Sequence, residues 1–345
     1  MAEMTARLSA AEEAVATPTP GPATASPATT GRAASRLRRV VAHPAARIAL
    51  RILLPVAILV AIVARVGTGP FVHGLLSLDA PTVAAAFALT GIATAAAAWR
   101  WRLIAGRLGV GLAWSTAVGM YYRSQFVNTV LPGGVLGDVQ RAVDHGRSAD
   151  QLGAAARAVA VERLLGQAVQ VVLAVGVLAV VGMEFVGVLL PILGVALVVA
   201  IGGGAAAALA SRRVRRALTR ELREVREGLG SAAVCVQAVV ASVIVCACHL
   251  GTFAIAAVAV GADVPPLRML ALGLVVLLAA SIPVNLGGWG PREGAAGWAF
   301  AMAGFGAAAG VSAATLYGVL AFVCFAPAAL IVQSTALIRR RRMRA

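Results

Sequence analysis

The chain has 345 residues, of which 60% are hydrophobic and only 13% charged, and its mean hydropathy is +0.88. Soluble chains average about 45–50% apolar and roughly 25% charged residues, so this one lacks the polar surface that water requires. Its 30 basic residues, every one an arginine, stand against 14 acidic ones and give a net charge of +16. Such a charge on a soluble chain would suggest nucleic acid. Apolar runs such as ILLPVAILVAIVA and VVLAVGVLAVVG exclude that reading and predict an all-α polytopic membrane protein with no nucleic-acid partner.

In chain order, residues 1–45 are rich in Ala, Thr, Pro and Ser without apolar period and read as a disordered cytoplasmic tail. A cleaved signal peptide is not expected, because the first apolar run starts only near Ile52. Residues 46–338 form the expected membrane domain, and 339–345 a basic cytoplasmic end. The apolar segments fall at about 47–66, 80–99, 112–131, 164–182, 186–210, 231–260, 267–286, 294–310 and 311–338. A full crossing takes roughly 20 residues, so 294–310 is short.

Arginine placement sets orientation. Arginines before the first segment, after the second (Arg100, Arg102, Arg107), in loop 211–230 and at the end of the chain are expected on the cytoplasmic side, with both termini. Asp79, Glu184 and Asp263 mark the outer connections. Arg141, Arg147, Arg157 and Arg163 also belong inside, yet they follow 112–131, which is basic on both flanks. That segment is therefore expected to dip in and return.

Two places interrupt the apolar pattern alike. The first runs from Ser124 through Asn128 to Pro132, Gly133, Gly134, Gly137 and Asp138. The second runs from Ser281 through Asn285 to Gly287, Gly288, Gly290, Pro291, Arg292 and Glu293. Pro and Gly at membrane depth break helices and release backbone groups that protein or water must satisfy. If both are re-entrant, each half has three crossings, six in total, and the halves form an inverted repeat of the kind found in alternating-access transporters. If 267–286 and 294–310 both cross, the count is eight.

The broken segments suit anion binding: Pro291 fits a first helical turn whose free N–H groups favour a phosphate, and Arg292 would add a bidentate donor. Glu293 could pair with Arg292 or with Arg123, itself an intramembrane charge that needs protein, water or an anion to face. Glu162 and Arg163 sit at the mouth of a segment as a topological pair or a gate. His249, in mid-segment, is a functional candidate or a helix contact. Cys246 and Cys248 diverge by about 200° on a helix and cannot share a tetrahedral metal with His249; no metal or cofactor is expected.

At these residues the chain resembles the transmembrane, flippase-like domain of the lysylphosphatidylglycerol synthase family. The matching stretches are Phe126–Asn128, Leu131–Arg141, Val161–Gly166 and Ile282–Gly294, in family order across about 45–340. The resemblance implies a multi-pass protein of the bacterial inner membrane that handles phospholipid. By motif position it carries over Asn128, Asp138, Arg141, Glu162, Arg163, Asn285, Arg292 and Glu293 as headgroup candidates. The soluble aminoacyl-transfer domain of the full-length enzymes has no counterpart here, so synthase activity is not carried over and the chain is not expected to be an enzyme. The leading expectation is a translocase for an anionic phospholipid or a polyprenyl-linked lipid, held by Arg123, Arg292 and the broken-helix termini. The alternative is a non-transporting membrane partner that docks a glycosyltransferase or synthase through loop 211–230.

Overall fold

The computed structural model describes residues 44–181, 187, 230–282 and 289–329. The expected tail, nearly all of the 186–210 segment and the 211–230 loop, residues 283–288 with Asn285, Gly287 and Gly288, and the basic C-terminus lie outside the described residues.

Among the described residues ten helices follow one another: α1 Pro44–Val66, α2 Gly69–Leu76, α3 Ala80–Arg107, α4 Trp114–Val130, α5 Leu136–Ser148, α6 Leu152–Val181, α7 Ala232–Ala259, α8 Pro266–Ala280, α9 Pro291–Met302 and α10 Ala307–Phe325. No strand forms among the described residues. Helices α3, α6, α7 and α10 are long and apolar enough to cross a membrane, and a fifth crossing is counted if α1 and α2, bent by 98° around Gly67, are taken together. At 1.5 Å per residue, the 17, 13, 15 and 12 residues of α4, α5, α8 and α9 fall short of a hydrocarbon core of about 30 Å. The fold is thus all-α with four or five candidate crossings among the described residues.

Boundaries differ from the apolar segmentation in two informative places. Helix α6 starts at Leu152, well before residue 164, so Glu162 and Arg163 lie inside a helix and not at its mouth. Hydropathy marks where lipid is, whereas Arg and Glu are good helix formers and extend the helix beyond the apolar stretch. The last segments divide at Gly304 and Gly306, whose φ angles of +83° and +84° end α9 and set the start of α10 at Ala307.

Small residues set the packing. Helix α3 runs along α7 more extensively than any other described pair pack together. Ala86, Ala93 and Ala97 on one and Ala238, Ala241 and Ala256 on the other are buried, which permits close backbone approach without a hydrophobic driving force between helices. Of the apolar window of α10, 67% is buried, against 11% for α6; α10 is an inner helix and α6 a peripheral one. A Cβ on Gly310 would stand 2.2 Å from the Ala296 carbonyl oxygen, so α9 and α10 touch through glycine.

Gly310→Ala is accordingly expected to destabilise the fold by about 1–3 kcal/mol through overpacking. Gly119→Ala, where the added methyl meets nothing within 4 Å, is expected to be neutral or slightly stabilising. Thermal unfolding in detergent, followed by the loss of the monodisperse species, compares the two.

Candidate functional site

Glu162 of α6 is a fully buried charge, with no exposed side-chain surface. Its Oε1 accepts from both Nε and Nη2 of Arg100, the former at 3.1 Å, and its Oε2 accepts from Arg141 Nη2 at 2.9 Å. Tyr121 donates to Oε1 at 3.3 Å. Arg100 also donates to Ser242 of α7 at 2.8 Å, and the Arg141 guanidinium lies between the Trp101 and Tyr121 rings, 4.4 and 4.3 Å from their centroids. Those rings face the Arg141 N–H groups that have no oxygen acceptor. Arg100 fits because α6 presents Gly166 to it: a Cβ there would stand 3.0 Å from Arg100 Nη1.

A second carboxylate extends the cluster. Asp138, in the first turn of α5, accepts from Arg141 at 3.1 Å, Arg163 at 2.5 Å, Ser124 at 3.1 Å and Asn128 at 3.2 Å. Asn128 Oδ1 in turn accepts from the Gly137 backbone N–H at 2.8 Å. Asn128 therefore staples the end of α4 to the start of α5, and Gly133 and Gly134, at φ +92° and +60°, turn the chain between them after Pro132. Gly137 has no alternative, since a Cβ would sit 2.0 Å from the Ser124 carbonyl oxygen. The first interruption is a helical hairpin closed by its own polar residues.

The second interruption ends at Gly290, whose φ of +107° is followed by Pro291 in the first turn of α9. Glu293 Oε2 accepts from the Gly290 N–H at 2.6 Å, and its Oε1 accepts from Arg292 Nε and Nη2 at 2.8 and 2.5 Å. The Arg292 guanidinium stacks near Trp289 and Tyr317 and occupies a slot that Gly318 of α10 leaves open. Tyr317 Oη is 3.0 Å from His249 Nδ1.

One cavity of about 760 Å³ joins both interruptions. Gly133, Gly134 and Asp138 from the first hairpin line it together with Ser281 and Arg292 from the second. Arg163, Gln125, Gln167, His249 and Tyr317 complete its polar part, while Val139, Val143, Leu152 and Phe325 supply apolar wall. Val139 and Leu152 are more than half exposed on the outer surface, so the apolar wall reaches the side of the molecule. Arg163, with 41% of its side chain exposed, faces this space although it is bonded to Asp138 and to Gln125. In the linked group three arginines (Arg100, Arg141 and Arg163) meet two carboxylates, and Arg292 is balanced by Glu293. Among the described residues the site keeps one positive charge in excess.

Of the residues expected from the sequence, Asn128, Asp138, Arg163 and Arg292 line the cavity. Arg141, Glu162 and Glu293 stand behind it and hold the liners in place. Arg123 does not line it; it pairs with Asp144 at 2.7 Å, and Glu293 takes Arg292 as its partner. Arg100, read from sequence as a topological flank, is 4% exposed and belongs to the cluster. Ser242, Tyr317 and Gly318 were also missed, and Gly166 was read only as the end of a matching stretch. No local pattern distinguishes them, because their roles come from helices far away in sequence.

Removing the Glu162 carboxylate leaves Arg100 and Arg141 buried with unbalanced charge. Glu162→Ala is expected to cost about 3–5 kcal/mol of stability, whereas Arg123→Ala, at a pair with exposed edges, is expected to cost distinctly less. Denaturant or thermal titration of the two variants in the same detergent gives the comparison.

No curated protein and no solved structure matches the chain. The sequence model of the lysylphosphatidylglycerol synthase TM region matches residues 48–328, which include both helix interruptions and the helices around the cavity. The chain is a multi-pass integral membrane protein that belongs to this family.

Proposed function

We propose that the protein is a non-enzymatic lipid translocase whose cavity takes an anionic, phosphate-bearing headgroup while the acyl chains stay against the apolar wall. The observation that carries the reading is the amphipathic character of one cavity: an excess positive charge and hydrogen-bonding side chains inside, and valine and leucine leading to the lateral surface. A soluble anion would need only the polar part, and an acyl chain only the apolar part. A headgroup crossing hydrocarbon needs a polar path beside an apolar one.

In this reading Arg163 and Arg292 are the headgroup donors. Arg123 locks α4 to α5 through Asp144. The two interruptions belong to the two halves of an inverted repeat. That both interruptions contribute to one cavity supports this, because inverted repeats bring their broken helices together at the binding site.

Leaflet-specific reduction of a fluorescent phosphatidylglycerol in proteoliposomes tests the proposal. A charge-assisted hydrogen bond contributes about 1.5–3 kcal/mol, so Arg163→Gln is expected to slow translocation by roughly tenfold or more. Arg123→Gln is expected to leave the rate within a few fold. Equal rates in wild type, Arg163→Gln and protein-free vesicles would sink the proposal.

A further inference from the structure

His249 is the one described histidine that lines the cavity: His145 is buried edge-on against Trp101, and His73 bonds the Val260 carbonyl at the end of α7. Its ring is held by a partner suited to two protonation states. The Tyr317 hydroxyl, 3.0 Å from Nδ1, donates to a neutral ring and accepts from a protonated one. The contact therefore survives uptake of a proton.

The charged surroundings decide when that uptake is favourable. From α6, Arg163 is the cation whose field reaches the ring, and its neighbour Glu162 is turned away to Arg100 and Arg141. From α9, Arg292 reaches the same cavity, with Glu293 tied to it. Helix α10 contributes Tyr317 and α7 itself the thiols Cys246 and Cys248. From α3, Arg100 points to Glu162 and Ser242, and Arg102 to the Leu112 carbonyl; on α8 the single charged residue, Arg268, lies by Phe305. Asp138, also lining the cavity, is bonded to Arg141 and Arg163. His249 thus shares the cavity with two arginines and no carboxylate bonded to it.

We propose that His249 is a proton-binding site coupled to the anionic cargo, so that anion and proton occupy the cavity together. The inference rests on the headgroup reading above. In the empty cavity a third cation beside Arg163 and Arg292 is repelled. An anion seated between the arginines reverses that field and makes the imidazolium favourable, and by linkage the imidazolium tightens the anion to the same degree. The pair that forms, monoanion plus proton, carries no net charge. Cargo moved in this form would not work against the membrane potential, which acts on each uncompensated charge that crosses.

The experiment measures binding of dihexanoylphosphatidylglycerol to the full-length protein in a nonionic detergent. This phosphodiester stays a monoanion between about pH 8 and pH 5, the range in which histidines titrate. Wild type is expected to bind more tightly as pH falls, with a slope approaching tenfold per pH unit, and to take up close to one proton per lipid in weakly buffered solution. His249→Gln keeps an amide able to meet Tyr317 but cannot titrate; it is expected to bind with a flat profile. The zwitterion dihexanoylphosphatidylcholine is expected to take up no proton. Wild-type binding without pH dependence or proton uptake, or a slope retained in His249→Gln, would overturn the coupling and leave the headgroup reading standing. Absence of phosphatidylglycerol binding at every pH would overturn both. Proton uptake is read on wild type alone, so a His249→Gln variant that fails to fold does not remove the test.

Discussion

The placement of Glu162 in a low-dielectric interior, beside cations drawn from other helices, is the constraint to which the site is tied. A carboxylate without solvent contact is tolerated only if paired and hydrogen-bonded. Here the pairing is distributed: Arg100 comes from α3, Arg141 from α5 and Tyr121 from α4, while Ser242 of α7 takes the remaining edge of Arg100. Five helices are thereby brought into register by one charge. Apolar packing could not do this in a bilayer, because lipid tails solvate leucine as well as protein does. Polar satisfaction and small-residue contact are the terms left to fix which helices meet, and the cluster uses both, with Gly166 clearing room for Arg100.

The two interruptions solve the same problem with opposite resources. In the first, side chains replace the lost helical bonds: Asn128 takes the Gly137 N–H and donates to Asp138, which sits at the start of α5 where its charge suits the helix dipole. In the second, Glu293 folds back on the Gly290 N–H and holds Arg292 at the same time. Each break thus pairs one backbone N–H with its own side chain, Gly137 with Asn128 and Gly290 with Glu293, and Asp138 and Glu293 hold Arg163 and Arg292, which face the common space.

Much of this was legible in the sequence because it is local. The spacing from Asn128 to Asp138, with Pro132, Gly133 and Gly134 between them, shows a helix stopped and restarted, and the Gly290–Glu293 stretch shows a capped helix start. The class of fold follows from hydropathy alone. What sequence could not separate was the role of each arginine. Arg100 follows an apolar run in the same way as Arg102 and Arg107, and only the meeting of α3 with α6 distinguishes it. Arg123 stands in mid-segment, where a charge looks functional, but Asp144 one hairpin arm away accounts for it. Gly166 and Gly318 are two among 37 glycines, and the guanidinium slots they open are defined by helices that arrive from elsewhere.

The excess positive charge of the cavity follows from the same accounting that stabilises the fold. Arg141 must be neutralised where it is buried, and it draws on both Glu162 and Asp138. Asp138 is thus shared, and its other partner, Arg163, receives only part of a counter-charge while remaining open to the cavity. Had Arg163 possessed its own carboxylate, the linked group would be neutral and an anion would gain little by entering. The structural arginines use up the carboxylates of the linked group, and Arg163 is left only partly neutralised at the polar end of an apolar cleft. In a bilayer an unbalanced charge is costly unless it faces protein, water or an anion, and Arg163 faces the cavity. Its place beside this cluster ties the charge of the cavity to the way the helices are held.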